Sequence, residues 1–205
     1  MISLLNAESI ALTFRQRWAN YLTILAAFIG IGGGMLLRNQ NLDATNRYEN
    51  QTVGIIARYP ANWLLEESQE PTKADFVFRV QDPESIPFKT ALQVSLLIVG
   101  PGAHPADIPD LLNMTRAGSF SAYRPLEIAQ ITLPDGTSGI QMHYAYVSSE
   151  TNQFLQSVPI VVEALDVIAV KKNSNQAVVI TFRSDSQFFE QNRHYFDNFL
   201  KSLQY

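Results

Sequence analysis

From Tyr21 to Leu37 the chain reads YLTILAAFIGIGGGMLL, an apolar run without a charge. At about 1.5 Å per residue it makes roughly 25 Å of helix. Counting back to Trp18 brings the run to the ~20 residues that a bilayer core needs, and Trp18 and Tyr21 suit the membrane interface, where an amphipathic ring keeps one end wet. The pattern predicts a transmembrane helix over residues 18–38. Upstream, Ala7, Ile10, Ala11, Phe14 and Trp18 share one helical face, away from Glu8, Arg15 and Gln16. Residues 1–17 therefore read either as a short helix lying on the cytoplasmic surface or as an extension of the span. Residues 39–47 (NQNLDATNR) are polar and read as a linker.

Beyond that point the texture changes to short alternating segments. Strands are predicted over 53–59, over 75–81 with Phe76, Phe78 and Val80 on one face, and over 91–99 with Leu92, Val94, Leu96 and Ile98 on one face. Segments 126–133 and 138–148 flank Pro134-Asp135-Gly136-Thr137, a strong turn signal, and predict a hairpin. Segments 160–171 and 176–183 flank Lys172-Asn173-Ser174-Asn175 and predict another. Gly100-Pro101-Gly102 reads as a turn leading to a helix over 104–118, with Asp107 as N-cap and Gly118 as stop. Ser184-x-x-Gln187 has the form of a capping box. The helix after it sets Phe189, Phe196, Phe199, Leu200 and Leu203 on a stripe that must bury itself on the sheet. Strands that pair as hairpins imply an α+β domain over 48–205, with a mainly antiparallel sheet and two packed helices.

Composition sharpens this. Residues 1–38 carry Arg15, Arg17 and Arg38 against Glu8, whereas residues 39–205 hold 12 basic and 18 acidic side chains. With arginines before the apolar run, the positive-inside rule puts the amino terminus in the cytoplasm and the domain outside the plasma membrane. An acidic domain without a basic cluster argues against nucleic acid as a partner. The chain has no cysteine, which excludes disulfides, thiolate metal sites and a lipidated cysteine. A cleaved signal peptide is the rival reading of the apolar run, but Met35-Leu36-Leu37-Arg38 is too bulky for a cleavage site, so a retained anchor is expected.

Within the span, Ala26, Gly30 and Gly34 are spaced by four, and Gly33 widens the stripe. Small residues let helix backbones approach in lipid, where no hydrophobic drive brings helices together. Glycine costs a helix interior about 1 kcal/mol relative to alanine. A partner helix packed on Ala26, Gly30, Gly33 and Gly34 explains the run; the general abundance of glycine in membrane helices is the alternative.

At Tyr59-Pro60-Ala61-Asn62-Trp63 the chain resembles the PsbP-like domain family, in which a strand ending in Tyr-Pro-x-x-Trp opens the domain. The order of elements is similar from about residue 47 to 205, down to a closing helix ending Phe199-Leu200-Lys201-Ser202-Leu203. The resemblance implies a non-enzymatic domain that docks on a large membrane assembly, as PsbP does on photosystem II. It brings no catalytic set and no cofactor. Read from the residues alone, Tyr59 and Trp63 are core anchors, and Pro60 ends the strand and aims Trp63.

The search for chemistry finds little. His104, His143 and His194 lie far apart and make no metal-ligand spacing. His143 is expected to face solvent, opposite Tyr144 and Tyr146, and Glu66, Glu67 and Glu70 are expected in a solvated loop. No nucleophile motif or phosphate loop is present. The expectation is a non-catalytic, single-pass accessory subunit of a respiratory or photosynthetic membrane complex. It would contact other integral subunits through the glycines and a peripheral extracytoplasmic subunit through the domain. The alternative is a tethered binding module for a small ligand or envelope component.

Overall fold

A computed structural model of the chain describes residues 13–42, 44–71, 76–100, 102–149, 158–171 and 174–205. They divide into two units, Met1–Ala44 and Thr45–Tyr205.

The first unit is built on one helix, α1 (Phe14–Leu42), of 29 residues. Its start is set by Thr13, whose backbone N–H and hydroxyl both donate to Gln16 Oε1, at 2.9 and 3.1 Å. This is half of a capping box, legible in the sequence as Thr-x-x-Gln but overshadowed by the apolar run. The window Phe14–Met35 has mean hydropathy 1.3 and is long and apolar enough to cross a membrane. Phe14 and Trp18, from the amphipathic face expected upstream, lie within α1 with rings 6.1 Å apart, edge to face. Ala7, Ile10 and Ala11 of that face lie outside the described residues. The expected linker over 39–47 is corrected: α1 continues to Leu42 and a strand opens at Thr45. A helix once begun extends through polar Asn and Gln at little cost, so polarity alone misplaced its end.

The second unit runs β1 (Thr45–Asn50), β2 (Ile55–Pro60), β3 (Leu64–Glu67), β4 (Phe78–Gln81), β5 (Ala91–Ile98), a single 3-10 turn (Pro105–Asp107), α2 (Ile108–Ser119), β6 (Ser121–Thr132), β7 (Ser138–Ser148), β8 (Ile160–Val170), β9 (Gln176–Asp185) and α3 (Phe189–Ser202). It is α+β. β1 and β2 form a hairpin of their own, and the other strands make a seven-stranded antiparallel sheet in the order β3-β4-β5-β9-β8-β7-β6. The last strand thus enters the middle of the sheet. The hairpin is tied to the carboxyl end by paired backbone hydrogen bonds between Ile56 and Gln204 and by the Ser202 hydroxyl, which accepts from the Arg58 N–H at 2.8 Å.

Both faces of the sheet are covered. Leu92, Val94, Leu165, Val167, Ile180 and Phe182 pack against Phe189, Phe196 and Phe199 of α3 and against Tyr48, Ile55 and Tyr59 of the hairpin. On the opposite face Tyr144, Val162, Ala164, Ile168 and Val179 pack with Phe88, Ile108 and Leu112, bringing in α2. This is why β8 and β9 read as continuous apolar runs and not as alternating ones. It also corrects the expectation for His143. The period-two reading puts it opposite Tyr144, but that side lies under α3: its ring stacks on Phe189 at 5.2 Å and shares a 3.1 Å hydrogen bond with Glu163.

Other expectations shift locally. Glu66 and Glu67 lie on edge strand β3, not in a loop, and Glu66 accepts two hydrogen bonds from Arg79, at 3.1 and 2.6 Å. Exposed, that pair contributes only about 0–1 kcal/mol. Asp75, the expected start of a strand, lies outside the described residues, and β4 begins at Phe78, with Val77, Phe78 and Val80 buried. Pro101 of the expected turn, and Lys172 and Asn173 between β8 and β9, also lie outside them. Asp107 makes no side-chain cap for α2; its carboxylate accepts from the His104 N–H and so caps the preceding 3-10 turn. Ser184 does not cap α3, because β9 runs on to Asp185 and holds Ser184 in the core, where its hydroxyl contacts Thr90 and Asn192.

The turn between β6 and β7 uses Gly136 at φ 81°, as its composition predicts. Gly139 is required for a different reason: a Cβ there would lie 2.9 Å from the Ile168 carbonyl oxygen. Gly139→Ala is therefore expected to cost about 1–3 kcal/mol by overpacking, read as a fall in the midpoint of thermal unfolding. An unchanged midpoint would mean that the β7–β8 register differs from this one.

Candidate functional site

The α2-facing side of the sheet carries the charged groups that burial makes costly. β8 presents Asp166 among the otherwise apolar positions of its α2-facing side, and its side chain is 0% exposed. Antiparallel register sets Asp166 beside Thr181 on β9 and Met142 on β7. The Thr181 hydroxyl donates to Asp166 Oδ1 at 2.7 Å, and Arg116 of α2 forms an ion pair with the other carboxylate oxygen. The Arg116 guanidinium also lies 4.4 Å over the Tyr144 ring, a cation–π contact. Burial pushes the Asp166 carboxyl above the usual carboxylate range, against the opposing pull of Arg116 and Thr181. Burial likewise raises the Tyr144 phenol well above its ordinary value, with Asp166 adding to the effect. Enclosed in this way, the carboxylate cannot reach a substrate; what the cluster does is fasten α2 to the sheet. A buried Asp in an apolar strand is the signal that could have marked it in the sequence.

Beside this cluster is an open depression of about 370 Å³, lined by aromatic rings, Arg183 and several serines. A second, of about 310 Å³, lies at Arg47, Arg58 and Ser202.

The residues singled out in the sequence do not converge. His104 Nδ1 accepts from the Ala106 N–H, His143 pairs with Glu163, and His194 sits against the Gln191 carbonyl at 2.7 Å. Among the described residues no three His, Asp or Glu side chains gather to hold a metal. Tyr59, Pro60 and Trp63 are buried. Pro60 is the last residue of β2, its carbonyl accepts from the Trp63 N–H at 3.1 Å, and the indole packs 5.2 Å from the Tyr195 ring. On α1, Ala26, Gly30, Gly33 and Gly34 fall on one side at 3.6 residues per turn, and no side chain among the described residues covers the glycines.

No family model matches the sequence, and no curated protein does. Solved structures do match. The solution structure of cyanobacterial PsbP (CyanoP) from Synechocystis sp. PCC 6803 is similar over 78% of this chain and 92% of its own, with TM-score 0.57 and 12% identity. The yeast Ran-binding protein Mog1p from Saccharomyces cerevisiae covers 78% of this chain and 95% of its own, with TM-score 0.52 and 10% identity. A Pseudomonas aeruginosa protein of unknown function, described as a putative regulator, matches with TM-score 0.50 and 10% identity, over 78% of this chain and 96% of its own. The element order, the Tyr-Pro-x-x-Trp corner and these matches together give the conclusion that Thr45–Tyr205 has the PsbP-like fold.

Proposed function

We propose that this chain is a non-catalytic, single-pass accessory subunit of a multi-subunit membrane complex, of the respiratory or photosynthetic electron-transfer kind. In this reading α1 spans the plasma membrane with its amino terminus in the cytoplasm, and the PsbP-like domain stabilises the assembly or docks a peripheral subunit outside. The observation that carries it is the joining of a PsbP-like domain to an apolar helix with an uncovered glycine face. Uncovered glycines forgo helix propensity and let a neighbouring helix approach closely in lipid. Arg15 and Arg17 before the apolar run support the orientation.

Mild-detergent purification followed by mass spectrometry tests this. Integral partners are expected to co-purify with the native chain and to fall at least about tenfold in the Gly30→Leu/Gly34→Leu variant, the loss expected for one removed packing contact of ~1.4 kcal/mol. Recovery of the native chain alone, or only as a homodimer, would refute the role, and survival of the domain when intact cells are treated with protease would refute the orientation. The alternative, a tethered binding module, is favoured by one observation, the depression of about 370 Å³ beside Arg183.

A further inference from the structure

We propose that the depression beside Arg183 is a binding site for a small organic carboxylate that carries a flat apolar group. The inference does not rest on the accessory role; it stands on how the depression is built. Its volume, about 370 Å³, falls within the ~300–1,000 Å³ of small-ligand sites. Phe120 and Tyr146 stack with centroids 4.2 Å apart and planes 14° from parallel, and with buried Phe88 they make an aromatic wall. Phe88 and Tyr146 are buried, so a flat apolar group has the part-exposed Phe120 ring to lie against, backed by the other two.

Arg183 supplies the charge. It comes from β9 on the same side of the sheet as Thr181, and its Nη2 donates to Gln93 Oε1 at 3.1 Å. Its Nε is buried and has no hydrogen-bond partner among the described residues. A buried cationic N–H without an acceptor is costly; Nε is sealed from water where it stands, and because the Arg183 side chain lines the depression, a bound oxyanion that draws the guanidinium outward would offset that cost. Asp185 follows on β9, with its Oδ1 accepting from the Gln187 N–H at 2.9 Å, so Arg116 and Arg183 are matched by the carboxylates of Asp166 and Asp185, and the preference for an anion rests on the Arg183 guanidinium at the depression itself.

The rim adds hydroxyls from Ser121 and Ser148, which can donate to a second carboxylate oxygen. At that rim β6 leaves its register with β7 after Ser121, and Ala122 is held at φ 52°, in the left-handed region that non-glycine residues rarely occupy. Strain of this kind gathers at ligand-binding sites. A guanidinium beside stacked rings selects a carboxylate on a flat group over a bare inorganic anion, which would leave the aromatic wall unused.

Saturation-transfer NMR on the full chain in lipid nanodiscs tests this, with benzoate as probe, empty nanodiscs as blank, and benzyl alcohol and inorganic phosphate as comparators. Benzoate is expected to bind in about the millimolar range, as suits a ligand of so few atoms. Benzyl alcohol and phosphate should bind at least about tenfold more weakly, and Arg183→Gln should weaken benzoate by a similar factor. Arg58→Gln, at the other depression, should leave it unchanged. If Arg183→Gln fails to fold by circular dichroism, Phe120→Ala takes its place and should weaken benzoate while leaving the fold intact. Equal binding of benzyl alcohol, equal binding of phosphate, undiminished binding by folded Arg183→Gln, or no benzoate signal from the native chain would each overturn the proposal.

Discussion

Asp166→Ala is expected to lower the unfolding free energy by about 3–5 kcal/mol, among the largest effects of any single replacement in the chain. The size follows from what is left behind. Arg116 is only 12% exposed, and its carboxylate partner is enclosed entirely. Removing the carboxylate strands a guanidinium in a desolvated site and leaves the Thr181 hydroxyl without its acceptor. Since domains of this size are stable by ~5–15 kcal/mol, urea unfolding should show either a strongly lowered midpoint or loss of the cooperative transition. The pair itself need not be strongly stabilising, because desolvating both charges offsets most of their attraction. Replacing both partners with apolar residues, Asp166→Leu with Arg116→Met, is therefore expected to recover most of the loss. A double variant as unstable as the single one would show that the cluster holds something other than a mutually compensated pair.

Phe182→Ala should be comparably damaging, at about 3–5 kcal/mol, for a different reason. Phe182 lies at the centre of the sheet on β9, fully buried, with the rings of Phe189 and Phe196 at 5.4 and 5.6 Å. Truncation opens a cavity between sheet and α3 that neither can close, since β9 is hydrogen-bonded on both sides to β5 and β8. Phe188→Ala is the control: that ring is 42% exposed, and its loss should move the urea midpoint little. If the two replacements cost the same, α3 does not pack on β9 as described.

Much of the fold could be read without coordinates, for identifiable reasons. The hairpin β6–β7 is announced by Pro134-Asp135-Gly136-Thr137, because Gly136 takes a positive φ that few residues tolerate. The stripe Phe189, Phe196, Phe199, Leu200 and Leu203 predicts a buried helix face, and all five pack on the core, Leu200 only partly buried. Misreadings arose where a local signal met a tertiary competitor. Ser184-x-x-Gln187 looks like a helix cap, yet pairing with β8 carries β9 past it to Asp185. β3 was missed because Leu64–Glu67 is short, exposed and charged, and becomes a strand only by pairing with β4.

The sequence by itself determined the apolar span of α1, the α+β class, the β6–β7 turn and the Tyr-Pro-x-x-Trp corner, because each rests on a local period or on the backbone preference of a few adjacent residues. Only the tertiary structure decided that β9 lies between β5 and β8, that helices cover both faces of the sheet, that His143 stacks under α3, that Arg116 pairs with Asp166, and that Arg183 lines an aromatic depression. Those placements depend on pairings between segments distant in the chain, such as Arg116 with Asp166. No periodicity within one segment encodes which distant segment will bury it.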